Sequence, residues 1–136
     1  MKLNIRMLKS SDWDTLVSWW DNWPEWQTPP KDFLPDNGKG GFMVEKNGQP
    51  IIAGFLYITN SKAALLEWII SNPEYRDDDR KQAIELLIGG AEDVCKKQGI
   101  KYIFSIGRNK HLIEIHKNLG YQVDDNPSHE ITKKLN

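Results

Sequence analysis

The sequence predicts a mixed-sheet α/β domain (α+β, mixed sheet) in the order β-α-loop-β-β-β-α-β-α-β-β. Three observations carry that prediction. Three strand-like segments, residues 41–46, 51–58 and 63–70, are joined by the short turns Asn47-Gly48 and Asn60-Ser61, which makes an antiparallel meander. A long amphipathic pattern ending at Gly99 follows, with Ala83, Leu86, Leu87, Gly90, Ala91, Val94 and Cys95 on one helical face. A second strand and helix, residues 101–106 and 109–118, then return the chain to the sheet. Strand runs mixed with two crossovers describe a mixed sheet and not a doubly wound one.

In chain order, Leu3, Ile5 and Met7 alternate with polar residues, the period of a half-buried strand. Ser10-Ser11-Asp12 offers N-cap chemistry for a first helix, on which Trp13, Leu16, Val17, Trp20 and Trp23 share a face and Trp19 lies off it. Pro24, Pro29, Pro30 and Pro35 make residues 24–41 an irregular loop, with a short helical turn around residues 31–34. A loop of ~18 residues in a domain of this size is more often functional than idle. Residues 121–124 and 130–135 close the chain as two strands around the polar turn 125–128.

Composition narrows the function. The chain has 136 residues, the length of one domain, with 39% hydrophobic and 27% charged residues, in the soluble globular range. A net charge of −1 argues against binding nucleic acid or membrane through a general field. Cys95 is the single cysteine, so no internal disulfide forms, and its place on the helical face suits an inert core thiol. No apolar run or leader pattern marks a membrane span or export, and a cytoplasmic location is expected, that of the host for a phage protein. No His/Cys/Asp/Glu spacing suits a metal, and no Ser/His/Asp order suits a nucleophilic triad.

Where the meander runs through a charged elbow into the long helix, the first N–H groups and the positive end of the helix dipole form an anion site. The segment ISNPEYRDDDRKQAIELL covers this junction, and NKHLIEIHKNLGY covers the last helix. The element order and these two stretches resemble the GNAT superfamily of acyl-CoA-dependent N-acetyltransferases over nearly the whole chain. The first looks like that family's strand, Pro-x-x-Arg elbow and pyrophosphate-binding helix start. The second is similar to its Asn, then Tyr seven residues on, then Gly-Phe, with Asn109, His116, Gly120 and Tyr121 in the frame. The Trp-rich first helix, LPDNGKGGFMV, AGFLYITNSK and the ITKKL ending are similar to acetyltransferase-like proteins of tailed bacteriophages.

The family's loop, Arg/Gln-x-x-Gly-x-Gly/Ala, is altered: counted from Arg76, Asp79 and Lys81 stand at the small positions. A frame from Arg80, with Ala83 and Glu85, fits less well. Asp77, Asp78 and Asp79 repel a diphosphate while Arg76, Arg80 and Lys81 attract it, which leaves backbone N–H groups and the helix dipole to bind. The same aspartates would also suit a helix start with no ligand, as N-cap and first-turn residues.

The resemblance implies acetyl-CoA as co-substrate, an amine acceptor, and direct acyl transfer. An amine of pKa ~10.4 is unprotonated in roughly one molecule in 2,500 at pH 7, so a base or a water chain is needed. Glu67 stands where the family often places that carboxylate, though a solvent-facing strand carboxylate reads the same. His116 replaces the tyrosine that protonates the leaving thiolate, or is an exposed helical histidine. Asn109 would bond the pantetheine arm or cap its helix, and Ile69 and Ser71 would offer backbone groups to the same arm. The acceptor would lie against the first helix and loop 24–41, where Trp19, Trp26 and Phe33 could floor a pocket for an aromatic, cationic or peptide-like amine. Asp21, Glu25, Asp32 and Asp36 favour a cation there. A homodimer is an open assembly state. The alternative is a non-catalytic module of the same fold that engages a protein partner through its Trp-rich loop.

Overall fold

The computed structural model describes residues 2–135. They fall into two compact units that divide between Ile106 and Gly107.

The first unit is built on a five-stranded sheet of order β1-β2-β3-β4-β5, from β1 (Leu3–Met7), β2 (Gly41–Lys46), β3 (Gln49–Ile58), β4 (Ala63–Ser71) and β5 (Tyr102–Phe104). The first four strands pair antiparallel, and β5 joins β4 in parallel after the crossover helix α2 (Arg80–Lys97). Helix α1 (Trp13–Asn22) packs on the other face. The Asn47-Gly48 turn works as the sequence suggests, with both residues at positive φ, 54° and 80°.

On the α1 face, Leu8, Leu16, Trp19, Trp20, Leu34, Met43, Ala53, Phe55 and Ile70 form one buried cluster, with Trp13, Trp23, Trp26, Tyr57 and Trp68 packed against it. Trp19 is only 4% exposed, which corrects its expected place off the helix's buried face. On the opposite face α2 buries Ala83, Ile84, Leu87, Ile88, Ala91 and Cys95, so its inward stripe is turned toward Ile84 and Ile88 relative to the expected one. Gly90 is where α2 crosses β1: a Cβ there would sit 2.4 Å from Ile5 Cδ1, so a larger residue would require the end of the Ile5 side chain to move aside.

Asp12 does not cap α1. Its carboxylate accepts Lys9 N–H at 2.9 Å and the Arg6 guanidinium at 2.8 and 2.9 Å, and Arg6 also donates to Glu45 at 3.2 Å. This fork fastens β1 to both β2 and the turn before α1, and the Arg6 guanidinium holds the Asp12 carboxyl below the usual carboxylate range.

In the second unit, helix α3 (Lys110–Asn118) starts at Asn109, whose side chain accepts the N–H groups of His111 and Leu112 at 2.8 and 3.2 Å. Gly120, at φ 95°, ends it. Arg108 and Glu130 form an ion pair. The two closing strands expected at 121–124 and 130–135 do not form over the described residues. Asp124 instead turns back on Asn126 N–H, Pro127 removes a donor, and Ile131 and Leu135 stay 93% and 80% exposed. Without burial on one face, their alternation has nothing to pay for ordering a ladder.

Candidate functional site

Two features of the first unit come together at the end of β4. The first is a parting of strands. Pairing between β4 and β5 stops at Leu65 and Phe104. Beyond it, Ser105 Oγ donates to the Leu66 carbonyl at 2.7 Å and Ile106 N–H donates to Glu67 Oε1 at 2.9 Å. Glu67 therefore stands in the fork of the two strands, with a carboxylate oxygen bridging them. From there to Ser71, no strand pairs with the β5-side edge of β4 among the described residues.

The second feature is a bulge. Phe55 pairs with Glu67 and Ala53 with Ile70, so Gly54 faces both Trp68 and Ile69. Trp68 adopts φ 56°, the left-handed region that a bulky side chain rarely enters. The extra residue resets the alternation: Glu67 and Ile70 lie opposite Phe55 and Ala53, two residues of the α1-side core, while Ile69 turns toward α2 beside Leu66 and Leu87. Room for this comes from Gly54, whose Cβ would stand 3.1 Å from Leu87 and 3.3 Å from Ile69. Ser71, expected to offer its carbonyl, already accepts the Trp23 indole N–H at 2.9 Å.

The Trp68 ring gathers the residues expected to face an acceptor. Its centroid is 6.0 Å from Trp26 and 5.8 Å from Phe33, both on loop 24–41, and 6.4 Å from Trp20 on α1. Tyr57 completes the group: its hydroxyl donates to the Phe33 carbonyl at 3.1 Å. Burial pushes the Tyr57 hydroxyl's pKa up, and the Trp68 indole acts against that shift. Phe33 is 47% exposed, and Asp21, Glu25, Asp32 and Asp36 are exposed around it in sequence. Trp19 belongs to the core beneath and not to this group.

At the start of α2, the aspartates do not serve the helix as expected. Asp79 is the N-cap residue, but its carboxylate makes no cap bond. It accepts the Tyr75 hydroxyl at 2.5 Å and the Lys46 ammonium at 2.9 Å, and Asp77 lies 3.6 Å from the same ammonium. The Tyr75 hydroxyl and then Lys46 hold the Asp79 carboxyl below its usual range, and Asp79 raises Lys46 to about 12. Lys46 supplies a cation that the charge count of residues 76–81 leaves out. Arg76, Asp77, Asp78 and Lys81 are exposed, and Arg80 is half-buried in the first turn.

In the second unit, His116 is buried at 6% exposure, not exposed on its helix. Its Nδ1 is 2.9 Å from the Leu112 carbonyl, which makes Nδ1 the protonated nitrogen, and Nε2 has no protein partner. The Tyr121 ring packs edge-on at 5.0 Å. The Asn109 side-chain oxygen is spent on capping, which leaves its NH2 as the group it could offer a ligand.

Sequence reasoning missed Trp68, Tyr57, Lys46 and Tyr75. The left-handed turn at Trp68 has no glycine to announce it, and Lys46 is separated by 33 residues from its carboxylate. Only the sixth tryptophan's place beside Glu67 was a signal. Among the described residues no group of three or more His, Cys, Asp or Glu could hold a metal, and no helix is long and apolar enough to cross a membrane. The Cys95 thiol is buried, and burial pushes its pKa up.

No family model matches the sequence, and no curated protein does. Solved structures do match. N-acetylglutamate synthase from Neisseria gonorrhoeae, complexed with coenzyme A and N-acetyl-glutamate, superposes with a TM-score of 0.72 at 17% identity; the match covers 90% of this chain and 28% of that one. The ribosomal-protein-S18-alanine N-acetyltransferase from Escherichia coli gives 0.69 at 18% identity, over 88% and 77% of the two chains. The PaiA N-acetyltransferase from Thermoplasma acidophilum, in complex with coenzyme A, gives 0.66 at 17%, over 93% of each. This chain spans just over a quarter of the Neisseria synthase and nearly the full length of the Thermoplasma enzyme. The fold is that of the GNAT N-acetyltransferases.

Proposed function

We propose that the chain is an acetyl-CoA-dependent N-acetyltransferase that transfers the acetyl group by direct attack of a primary amine. The observation that carries the reading is the fork between β4 and β5, with Glu67 inside it and the bulge at Trp68 beside it. A pantetheine arm added along the unpaired edge of β4 would use backbone groups near Ile69 and Ser71 as a strand does. Backbone N–H groups of the bulge would meet the carbonyl oxygen as it becomes an oxyanion.

The diphosphate is assigned to the first turn of α2, with Arg76, Arg80 and Lys81 as cations. Asp77 and Asp78 remain unfavourable neighbours, but Asp79 is neutralised by Lys46 and Tyr75. Glu67 is the base, directly or through water. A neutral His116 protonated at Nδ1 has Nε2 unprotonated, so its role as acid requires the imidazolium. That role, and the pantetheine contact of Asn109, rest on the resemblance of residues 109–121 to the family's last helix. The acceptor is a primary amine of a small molecule or a protein, and the carboxylates of residues 21–36 favour one carrying a further positive charge.

The test is a thermal melt with millimolar acetyl-CoA, followed by free-thiol release against a panel of primary amines. A ligand at 100 times its Kd stabilises the native state by ~2.7 kcal/mol, a shift of several degrees at this size. No shift would overturn the enzyme reading in favour of a module that binds a protein partner through the Trp-rich loop.

A further inference from the structure

An aromatic residue at φ 56° persists only where its surroundings over-determine it. At Trp68 they do so from two sides, α1 and loop 24–41. Trp20 comes from α1, while Trp26 and Phe33 come from loop 24–41, and both Trp20 and Phe33 meet the ring edge-on, at 89° and 86°. Tyr57 ties the same loop to β3 through the Phe33 carbonyl, so the loop cannot withdraw its ring without losing that bond. The turn in β4 also decides which way the backbone of residues 67–70 faces, because it reverses the side-chain alternation between Glu67 and Ile70.

We propose that Trp68 is a positioning residue through which the acceptor-side loop sets the thioester site. Trp26 and Phe33 hold its ring, the ring holds the left-handed turn, and the turn aims the amides that would meet the thioester oxygen. This rests on the acetyltransferase reading. Loss of Phe33 should therefore be felt in the chemical step more than in coenzyme binding, although Phe33 lies on the loop and not on β4.

The experiment compares the wild type with Phe33→Ala, Trp68→Ala and Trp68→Phe. In the free protein, the HN–Hα coupling and carbon shifts of Trp68 read φ directly. Phe33→Ala should average them and speed amide exchange at residues 67–70 by about tenfold, while β2–β3 amides stay unchanged. An unaltered φ signature and exchange rate would overturn the proposal, whether or not the protein is an enzyme.

With acetyl-CoA and whichever amine the panel identifies, Phe33→Ala and Trp68→Ala should lower kcat by about 10²-fold, leaving KM for acetyl-CoA within about twofold. Trp68→Phe, which keeps a ring, should recover most of the rate. A change in KM alone, or equal losses in Trp68→Ala and Trp68→Phe, would overturn it. If the wild type fails to bind acetyl-CoA, the enzyme reading falls, and the Trp68 measurements in the free protein still decide whether the loop holds the turn.

Discussion

The ammonium of Lys46, at the end of β2, lies 2.9 Å from the carboxylate of Asp79, the residue that opens α2. The pair crosses from the sheet to the helix and turns an acidic group away from the helix's free N–H groups. On the proposed assignment of the diphosphate to this helix start, the pairing would make an aspartate there tolerable to the incoming anion.

Lys46→Gln should therefore weaken acetyl-CoA binding several-fold, because Asp79 is released to cap the helix and repel the diphosphate. Adding Asp79→Asn in that background should restore much of the loss. Titration calorimetry of the two variants checks it; an unchanged affinity in Lys46→Gln would remove the pair from the anion site.

The same pair gives a pH signature with a definite sign. Lys46 is raised from 10.5 to about 12, so its contribution to stability is complete below 10.5 and fades as pH rises through about 12. Asp79 and Asp12 are lowered, so theirs are complete above the unfolded value of ~3.9 and fade as pH falls through the depressed folded values. Denaturant midpoints measured from pH 2 to 5 should rise with pH, and Asp12→Asn should flatten part of that slope.

Asp12→Ala should cost about 3 kcal/mol, because it leaves the Arg6 guanidinium half-buried between Glu45 and an empty partner and also orphans Lys9 N–H. Urea unfolding is the measurement. Replacing Arg6 and Asp12 together, with Met and Leu, should cost less than Asp12→Ala alone.

Glu67→Gln keeps an oxygen to accept Ile106 N–H, so the fork and its stability should survive within about 1 kcal/mol. If Glu67 is the base as proposed, amine turnover should fall by roughly 10²–10⁴-fold with acetyl-CoA affinity unchanged. Wild-type turnover in this variant would reassign Glu67 to holding the strands together.

His116→Phe fills a buried site whose Nε2 has no protein partner, so the melting temperature should hold or rise. Turnover should fall if the imidazole protonates the leaving thiolate, and any step it contributes to the pH profile should disappear. A retained pH profile would separate His116 from proton transfer.

Local sequence made much of the scaffold readable. The first strand, the Asn47-Gly48 turn and the stop at Gly99 are written in neighbouring residues and the structure forms all three, although the alternation of Leu3 and Ile5 does not extend to Met7, which is 59% exposed. Local pattern put Glu67 on β4, and only the resemblance to the family implied that it stands where the strands part. What could not be read is whatever depends on distant partners. Trp19 looked exposed because helical periodicity counts one buried face, whereas residues 24–41 cover a second side of α1. The bulge at Trp68 depends on rings from α1 and from loop 24–41, and the Lys46–Asp79 pair on a crossing between layers. Alternation in residues 130–135 promised a strand, but alternation records a preference and not the presence of a partner to pair with.

Cys95, the chain's one thiol, is sealed at 3% exposure on the inner side of α2. A thiol-blocking reagent reaches it only when that helix lifts from the sheet, so the alkylation rate is a built-in clock for the opening of α2. Because the helix start is the assigned diphosphate site, the same clock should slow when coenzyme is added, with no dye, tag or acceptor required.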